Sequence, residues 1–189
     1  MSLTRAEILA SALEILDGFG LADLSMRRIA TSLGVQPGAL YWHFDNKQSL
    51  LAALAAEILG TLPTLGEPLG GGIAIWASDF CDRLLAHRDG AELVSAVLAM
   101  RLLDPSPVDL LADALTRAGL PPEDAAAGGA LVVHFVLGHS LDRQGYAQSA
   151  QLGAAGPPGP DPDAAFAYAI ALLDVGLRAG FPDQAPRRQ

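Results

Sequence analysis

The sequence predicts an all-α protein, a small three-helix head carried on a larger helical body. Three observations point there. Apolar residues recur at helical spacing along nearly the whole chain, and no stretch alternates in the manner of a strand. Helix-opening residues at Thr4, Ser25, Pro37 and Asp45 cut the first fifty residues into short segments. Beyond these, longer Ala- and Leu-rich segments are separated by Gly- and Pro-bearing breaks. The expected division is a head over residues 1–46 and a body over 47–189.

Each element has a local reason. Thr4 and Glu7 form a T-x-x-E capping box that opens the first helix. Its apolar positions are Ile8, Ala12, Ile15, Leu16 and Phe19, and Gly18 and Gly20 end it. Ser25 caps a second helix, with Leu24 placed to staple against Ile29. Met26, Ile29, Ala30 and Leu33 are its buried stripe, and it stops at Gly34, where a left-handed turn favours glycine. Pro37 suits the first position of a third helix. That helix is short, because Asp45, with Gln48 three residues on, caps a fourth over 46–60. Val35, Leu40 and Phe44 are assigned to the core. Two helices joined by Ser32-Leu33-Gly34-Val35 read as a helix-turn-helix, although on pattern alone an ordinary helical hairpin fits as well.

In the body, Gly66 to Gly72 forms a break, and helices are expected near 73–88, 91–102, 107–119 and 122–146. Gln148 to Asp163, rich in Gly, Pro and Ala, reads as a mobile loop. A last helix over 163–180 carries the stripe Phe166, Ile170, Leu173 and Leu177, interleaved with alanines. From Pro182 a tail ending in Arg187 and Arg188 reads as solvated.

Hydrophobic residues make up 51% of the chain and mean hydropathy is +0.31. His, Asp, Arg or Gly interrupts every apolar run before it reaches the roughly 18 residues of a membrane span. The surplus therefore suits a core plus a buried subunit interface, with no membrane partner. Glu7 and Arg5 break any secretory-signal pattern. A single cysteine, Cys81, forms no intrachain disulfide, consistent with a reducing cytoplasm, and reads as a buried inert thiol. Net charge is −9, and residues 1–50 hold four basic against five acidic side chains. Global charge thus argues weakly against a nucleic-acid partner. Clustering argues the other way: Arg27, Arg28 and Lys47 flank one short helix, while Glu7, Glu14 and Asp17 lie on another.

The stretch AxSLGVQPGALYWHFDNKQSLLAAL, from Ala30 to Leu54, settles the head. It resembles the DNA-binding motif of the tetracycline-repressor family, a turn glycine followed by L-Y-x-H-F and x-x-K-x-x-L. Leu40, Tyr41, His43, Phe44, Lys47 and Leu50 stand in register with it. Further on, LLAHRDGA (Leu84 to Ala91) and HFVLGHSLDRQ (His134 to Gln144) are similar, in the right order, to body segments of the same family. The resemblance implies a dimeric, ligand-responsive repressor, with the last two long helices of each subunit forming an intersubunit four-helix bundle. It also implies that Arg27 reads a guanine. Arg28, one position round the helix, would face phosphate. Gln36, Pro37, Gly38 and Ala39 would meet base edges in the major groove, Gln36 by hydrogen bonding and Pro37 and Ala39 by packing on thymine methyls. Tyr41, Trp42, His43 and Lys47 would hold phosphates.

Tetracycline-binding members of the family hold a metal–drug chelate. Aligned without gaps, their metal-binding histidine falls on Val94 and a neighbouring threonine on Val97. Their acid falls on Asp142, an asparagine on Trp76, and a fourth-helix histidine near Leu62; Phe80 alone is retained. The expected pocket is therefore apolar and aromatic, formed by Trp76, Phe80, Val94, Val97, His134, Leu137 and Asp142, with no metal or cofactor. It suits a hydrophobic, planar effector stacked on Trp76 and Phe80. Positions 134 and 139 do not share a helix face, so His134, His139 and Asp142 do not compose a metal site. No nucleophile–base–acid set or phosphate loop marks an enzyme. The competing reading keeps the fold but makes the protein a regulator without an effector, or an activator, its cavity filled by Trp76.

Overall fold

The computed structural model describes residues 3–63, 65 and 72–180. Most of the expected Gly66–Gly72 break, and the tail from Pro182, lie outside the described residues. Among the described residues there is no strand. The helices are α1 (Arg5–Phe19), α2 (Met26–Ser32), α3 (Pro37–Leu40), α4 (Lys47–Leu59), α5 (Gly72–Leu85), α6 (Gly90–Ala99), α7 (Pro107–Arg117), α8 (Pro122–Gln151) and α9 (Pro162–Ala179), with a 3-10 turn at Leu21–Asp23. Two compact units emerge, one of residues 1–60 with 83–104, the other of 61–82 with 105–189. This division differs from a boundary at 46/47, because α4 and α6 pack with the head rather than apart from it.

In the first unit the local signals act largely as read. The hydroxyl of Thr4 accepts from the Glu7 N–H, and the Glu7 carboxylate accepts from the Thr4 N–H at 2.8 Å. Those bonds hold the Glu7 carboxyl below its usual range. Ile8, Ala12, Ile15 and Leu16 are buried. Phe19 is not: α1 ends beneath it, so its ring lies exposed under the Arg28 guanidinium, 3.8 Å from the ring centroid. Gly18 is helical, and the chain leaves α1 at Gly20, whose φ of +88° only glycine adopts readily. Ser25 caps α2 by accepting from the Arg28 N–H. Leu33 and Val35 are half-buried rather than core, whereas Leu40 and Phe44 are buried. The cap of α4 is Asn46, not Asp45: Asn46 Oδ1 accepts from the Ser49 N–H at 2.8 Å, and the Ser49 hydroxyl answers the Asn46 N–H. Adjacent Asp and Asn are both good caps; Asn46 is the one that takes the extended conformation and whose side chain bonds the first turn.

The turn between α5 and α6 grips the end of α1. The Asp17 carboxylate accepts from the Arg88 N–H at 3.1 Å and pairs with His87 Nδ1 at 3.0 Å. The Asp89 carboxylate accepts from the Leu21 N–H at 2.8 Å. Arg83 donates to the Leu59 carbonyl at 2.7 Å, closing the C-terminal end of α4. Among the described residues, the two non-glycines with left-handed φ, Asp89 and Arg101, bracket α6.

In the second unit α7 lies along α8. A side chain at Gly129 would stand 2.9 Å from the Val108 carbonyl and 3.1 Å from the Ala112 nitrogen, so glycine permits the backbones to meet. Ser106 and Asp109 form the capping box of α7. α8 runs to Gln151, past the expected end near 146, so Gln148–Gln151 are helix and the loop is shorter than the sequence suggests. By length and composition α8 would pass for a membrane span, but 44% of its most apolar window is buried in the protein. On α9 only Ile170 is fully buried; Phe166, Leu173 and Leu177 are half-buried. Cys81 is buried beside the Ser140 hydroxyl at 3.5 Å, and burial pushes its thiol up, which fits an inert role.

Candidate nucleic-acid interface

The head presents its DNA-binding candidates by burying their neighbours. Leu40 and Phe44 anchor α3 and the turn after it to the core, while Gln36, Pro37 and Gly38 are exposed and Ala39 is half-buried. Tyr41 is 51% and Trp42 89% exposed. Side by side, the two rings present an aromatic surface at the end of α3 that is available to a partner. Lys47, at the first position of α4, and Arg27, on α2, are exposed as well.

Two members of the expected set stand differently. The Arg28 side chain is paired with Asp23 and stacked on Phe19, so its charge is engaged within the head rather than extended from it. His43 is half-buried, and its carbonyl accepts from the Arg5 guanidinium at 3.2 Å; Arg5 also lies 4.3 Å from the Phe44 ring centroid. Arg5 thus braces the turn that carries Tyr41 and Trp42. Sequence reading missed that brace, since Arg5 and His43 are 38 positions apart. Thr31 donates to the Arg27 carbonyl at 2.9 Å, and the Ser11 and Ser32 hydroxyls join α1 to α2. A shallow groove of about 420 Å³ runs beside Arg27 and Ser25. The result is an edge with aromatic, amide and cationic groups exposed, chemistry that suits groove and phosphate contacts.

The effector candidates fall in both units. Val94 and Val97 are buried on α6 in the first. In the second, Trp76 and Phe80 are buried on α5, ring centroids 5.1 Å apart, and Leu137 is buried on α8. His134 and Asp142 are exposed on α8. The histidine that is enclosed is His139, lying against Phe166 at 4.7 Å and Phe135 at 6.3 Å, its Nε2 buried without a hydrogen-bond partner. Among the described residues no group of three His, Cys, Asp or Glu side chains gathers to hold a metal.

Fold and edge together define a helix-turn-helix transcriptional regulator with a helical body. Residues 8–54 match the family described as bacterial regulatory proteins, tetR family, and residues 74–173 match the tetracyclin repressor-like C-terminal domain. The chain belongs to the tetR family. Tetracycline repressor protein class D of Escherichia coli is 34% identical over 150 residues, 75% of this chain and 67% of that one. The crystal structure of Mycobacterium smegmatis BioQ is 41% identical with a TM-score of 0.85, covering 94% of this chain and 99% of that one. A structure of BioQ with its natural double-stranded DNA operator is 38% identical with a TM-score of 0.75 over the same shares.

Proposed function

We propose that this protein is a cytoplasmic transcriptional repressor, without enzymatic activity, that binds a pseudo-palindromic DNA operator as a homodimer and is released by a small hydrophobic effector. The observation that carries it is the outward row of Gln36, Pro37, Gly38, Tyr41, Trp42 and Lys47 on a braced turn. Arg27 and Gln36 supply base readout, with Pro37, Gly38 and Ala39 against the groove floor; Tyr41, Trp42, His43 and Lys47 supply phosphate contacts. Arg28 acts through Asp23 and Phe19 by fixing the α1–α2 corner. One such head offers few contacts, so two half-sites roughly 34–36 Å apart are required.

Dimerisation is supported by two exposed faces. On α9, Tyr168, Leu172, Val175 and Ala179 are exposed at alternating spacings of four and three. On α8, Leu131, His134, Gly138, Leu141 and Gly145 are exposed at alternating spacings of three and four. These are seams of the coiled-coil kind, and paired across a two-fold axis they build a four-helix bundle. His134 belongs to this seam by position.

Effector release is supported by the grip on α1. Asp17, His87, Arg88 and Asp89 tie the head to the turn that opens α6, and Arg83, in the last turn of α5 just before it, bonds the end of α4. A ligand that favours another position of α6 shifts the head with it, and operator affinity falls by linkage. The buried aromatic pair Trp76 and Phe80, with Leu137, suits an uncharged planar molecule.

The test is fluorescence anisotropy on DNA from upstream of the protein's own gene, across a salt series, with and without tetracycline and magnesium. Salt-sensitive binding that survives the drug is expected. Release by tetracycline would overturn the apolar-pocket reading while leaving the repressor intact. Failure on that DNA and on a selected random-sequence pool would overturn the repressor itself.

A further inference from the structure

The second unit holds a cavity of about 360 Å³ between α5, α8 and α9. Its floor is apolar and aromatic: Ile170 and Cys81 are buried, and Phe166 forms a wall. The Phe166 ring is held from behind by Phe135 at 5.7 Å and by His139 at 4.7 Å, so its orientation is fixed by packing. Residues 74, 78, 81 and 82 line the cavity from one face of α5, at spacings that keep them together. At 100° per residue, Trp76 and Phe80 point roughly half a turn away. The cavity is therefore separate from the aromatic pair assigned to the effector.

The rim is charged and unbalanced. Asp82 and Asp163 supply two carboxylates against one guanidinium, Arg143, which already holds Asp163 at 2.6 Å. An anion entering here meets Asp82 and competes with Asp163 for the one guanidinium. A cation meets a net negative rim, carboxylate acceptors for N–H donors, and an aromatic wall whose face attracts positive charge. Burial beneath the rim pushes the Cys81 thiol up.

We infer that this cavity is a second ligand site, taking a small aromatic cation whose ring lies on Phe166 and whose charged group lies between Asp82 and Asp163. The assignment is independent of the effector reading above. It gives Arg143 a positioning role, holding one of the two carboxylates in place. Asp82 is followed in the chain by Arg83, the residue that closes α4, so an occupied site lies one peptide bond from the head's support.

Benzamidine and benzoate test it, being nearly isosteric planar probes of opposite charge. Titrated calorimetrically into the full-length protein, benzamidine is expected to bind saturably with Kd on the order of 1 mM, as suits so small a probe, and benzoate not to. In Asp82→Asn/Asp163→Asn the rim carries only Arg143, so benzamidine affinity should fall at least about tenfold and benzoate should become the better ligand. Both aspartates are exposed, and an unchanged thermal transition would show that the variant is folded. Phe166→Leu, which keeps the rim, should weaken benzamidine alone. No saturation by benzamidine at about 10 mM, equal binding of the two probes, or benzamidine binding untouched by the double substitution would each overturn the site.

Discussion

Two glycines near the end of α1, two residues apart, should respond to alanine in opposite directions. Gly20 has φ +88° and ψ 173°, a region essentially confined to glycine, so a side chain there costs about 1–3 kcal/mol in backbone strain. The new Cβ would also stand 2.6 Å from Asp89 Oδ2 and 3.3 Å from Arg88 Nε. Asp89 must then yield, and its bond from the Leu21 N–H weakens, about 1 kcal/mol more. Gly20→Ala should thus cost roughly 2–4 kcal/mol. Gly18 is helical and exposed, with no described atom within 4 Å of its would-be Cβ. There alanine should stabilise by about 0.5–1 kcal/mol. Urea denaturation followed by circular dichroism reads both, at one fixed protomer concentration because association contributes to stability. A loss below about 0.5 kcal/mol for Gly20→Ala, or an equal loss at Gly18, would refute the grip on α1 as the constraint.

Other consequences are as direct. Lys47→Ala should weaken operator binding and reduce the slope of log K against log salt by about 2 per dimer, one phosphate for each head; an unchanged slope would remove Lys47 from the interface. Gly129→Ala places its Cβ on backbone atoms of α7 that have no free rotamer, and should destabilise by about 1–3 kcal/mol; a neutral result in denaturation would mean that α7 can slide. Val175→Asp should convert dimer to monomer in sedimentation with little change in helicity, since two like charges meet across the seam at a cost of several kcal/mol; an intact dimer would place the interface elsewhere. Burial, reinforced by Arg143 and opposed by Asp163 and Asp142, holds the His139 imidazole below its ordinary value near 6.5. The unfolded chain then takes up this proton before the folded one, so stability is full above about pH 6.5 and declines as pH falls toward the folded value. His139→Phe should flatten that decline below about pH 6.5; parallel profiles would show that another group titrates.

The head was largely legible because its signals are local. Thr4 with Glu7, Ser25 and Pro37 each act within four residues and mark boundaries that the structure keeps. What was not legible depends on chain segments meeting. Phe19 satisfies the helical stripe, yet α1 ends there and the ring turns to Arg28. Arg28 looks free in sequence and is captured by Asp23, five residues away but around a turn. The pairing of Asp17 with the His87–Asp89 turn spans about seventy positions, and neither partner carries a motif that names the other. The body's aromatic pair, Trp76 and Phe80, came from the family resemblance and lies together on α5; the charged cavity on the opposite face of α5 was not legible, because Asp82, Arg143 and Asp163 come from three helices.

The first compact unit is discontinuous, residues 1–60 joined by 83–104. That bears on how such regulators are recombined. A hybrid that exchanges only the first sixty residues would leave its Leu59 carbonyl facing a foreign α5, and its Leu21 N–H and Asp17 carboxylate facing a foreign turn. The transferable piece is two segments, the head and the stretch from Arg83 to Asp104, moved together. In this chain the His-Arg-Asp-Gly turn and the last residues of α1 are a matched pair, and a working hybrid must carry both.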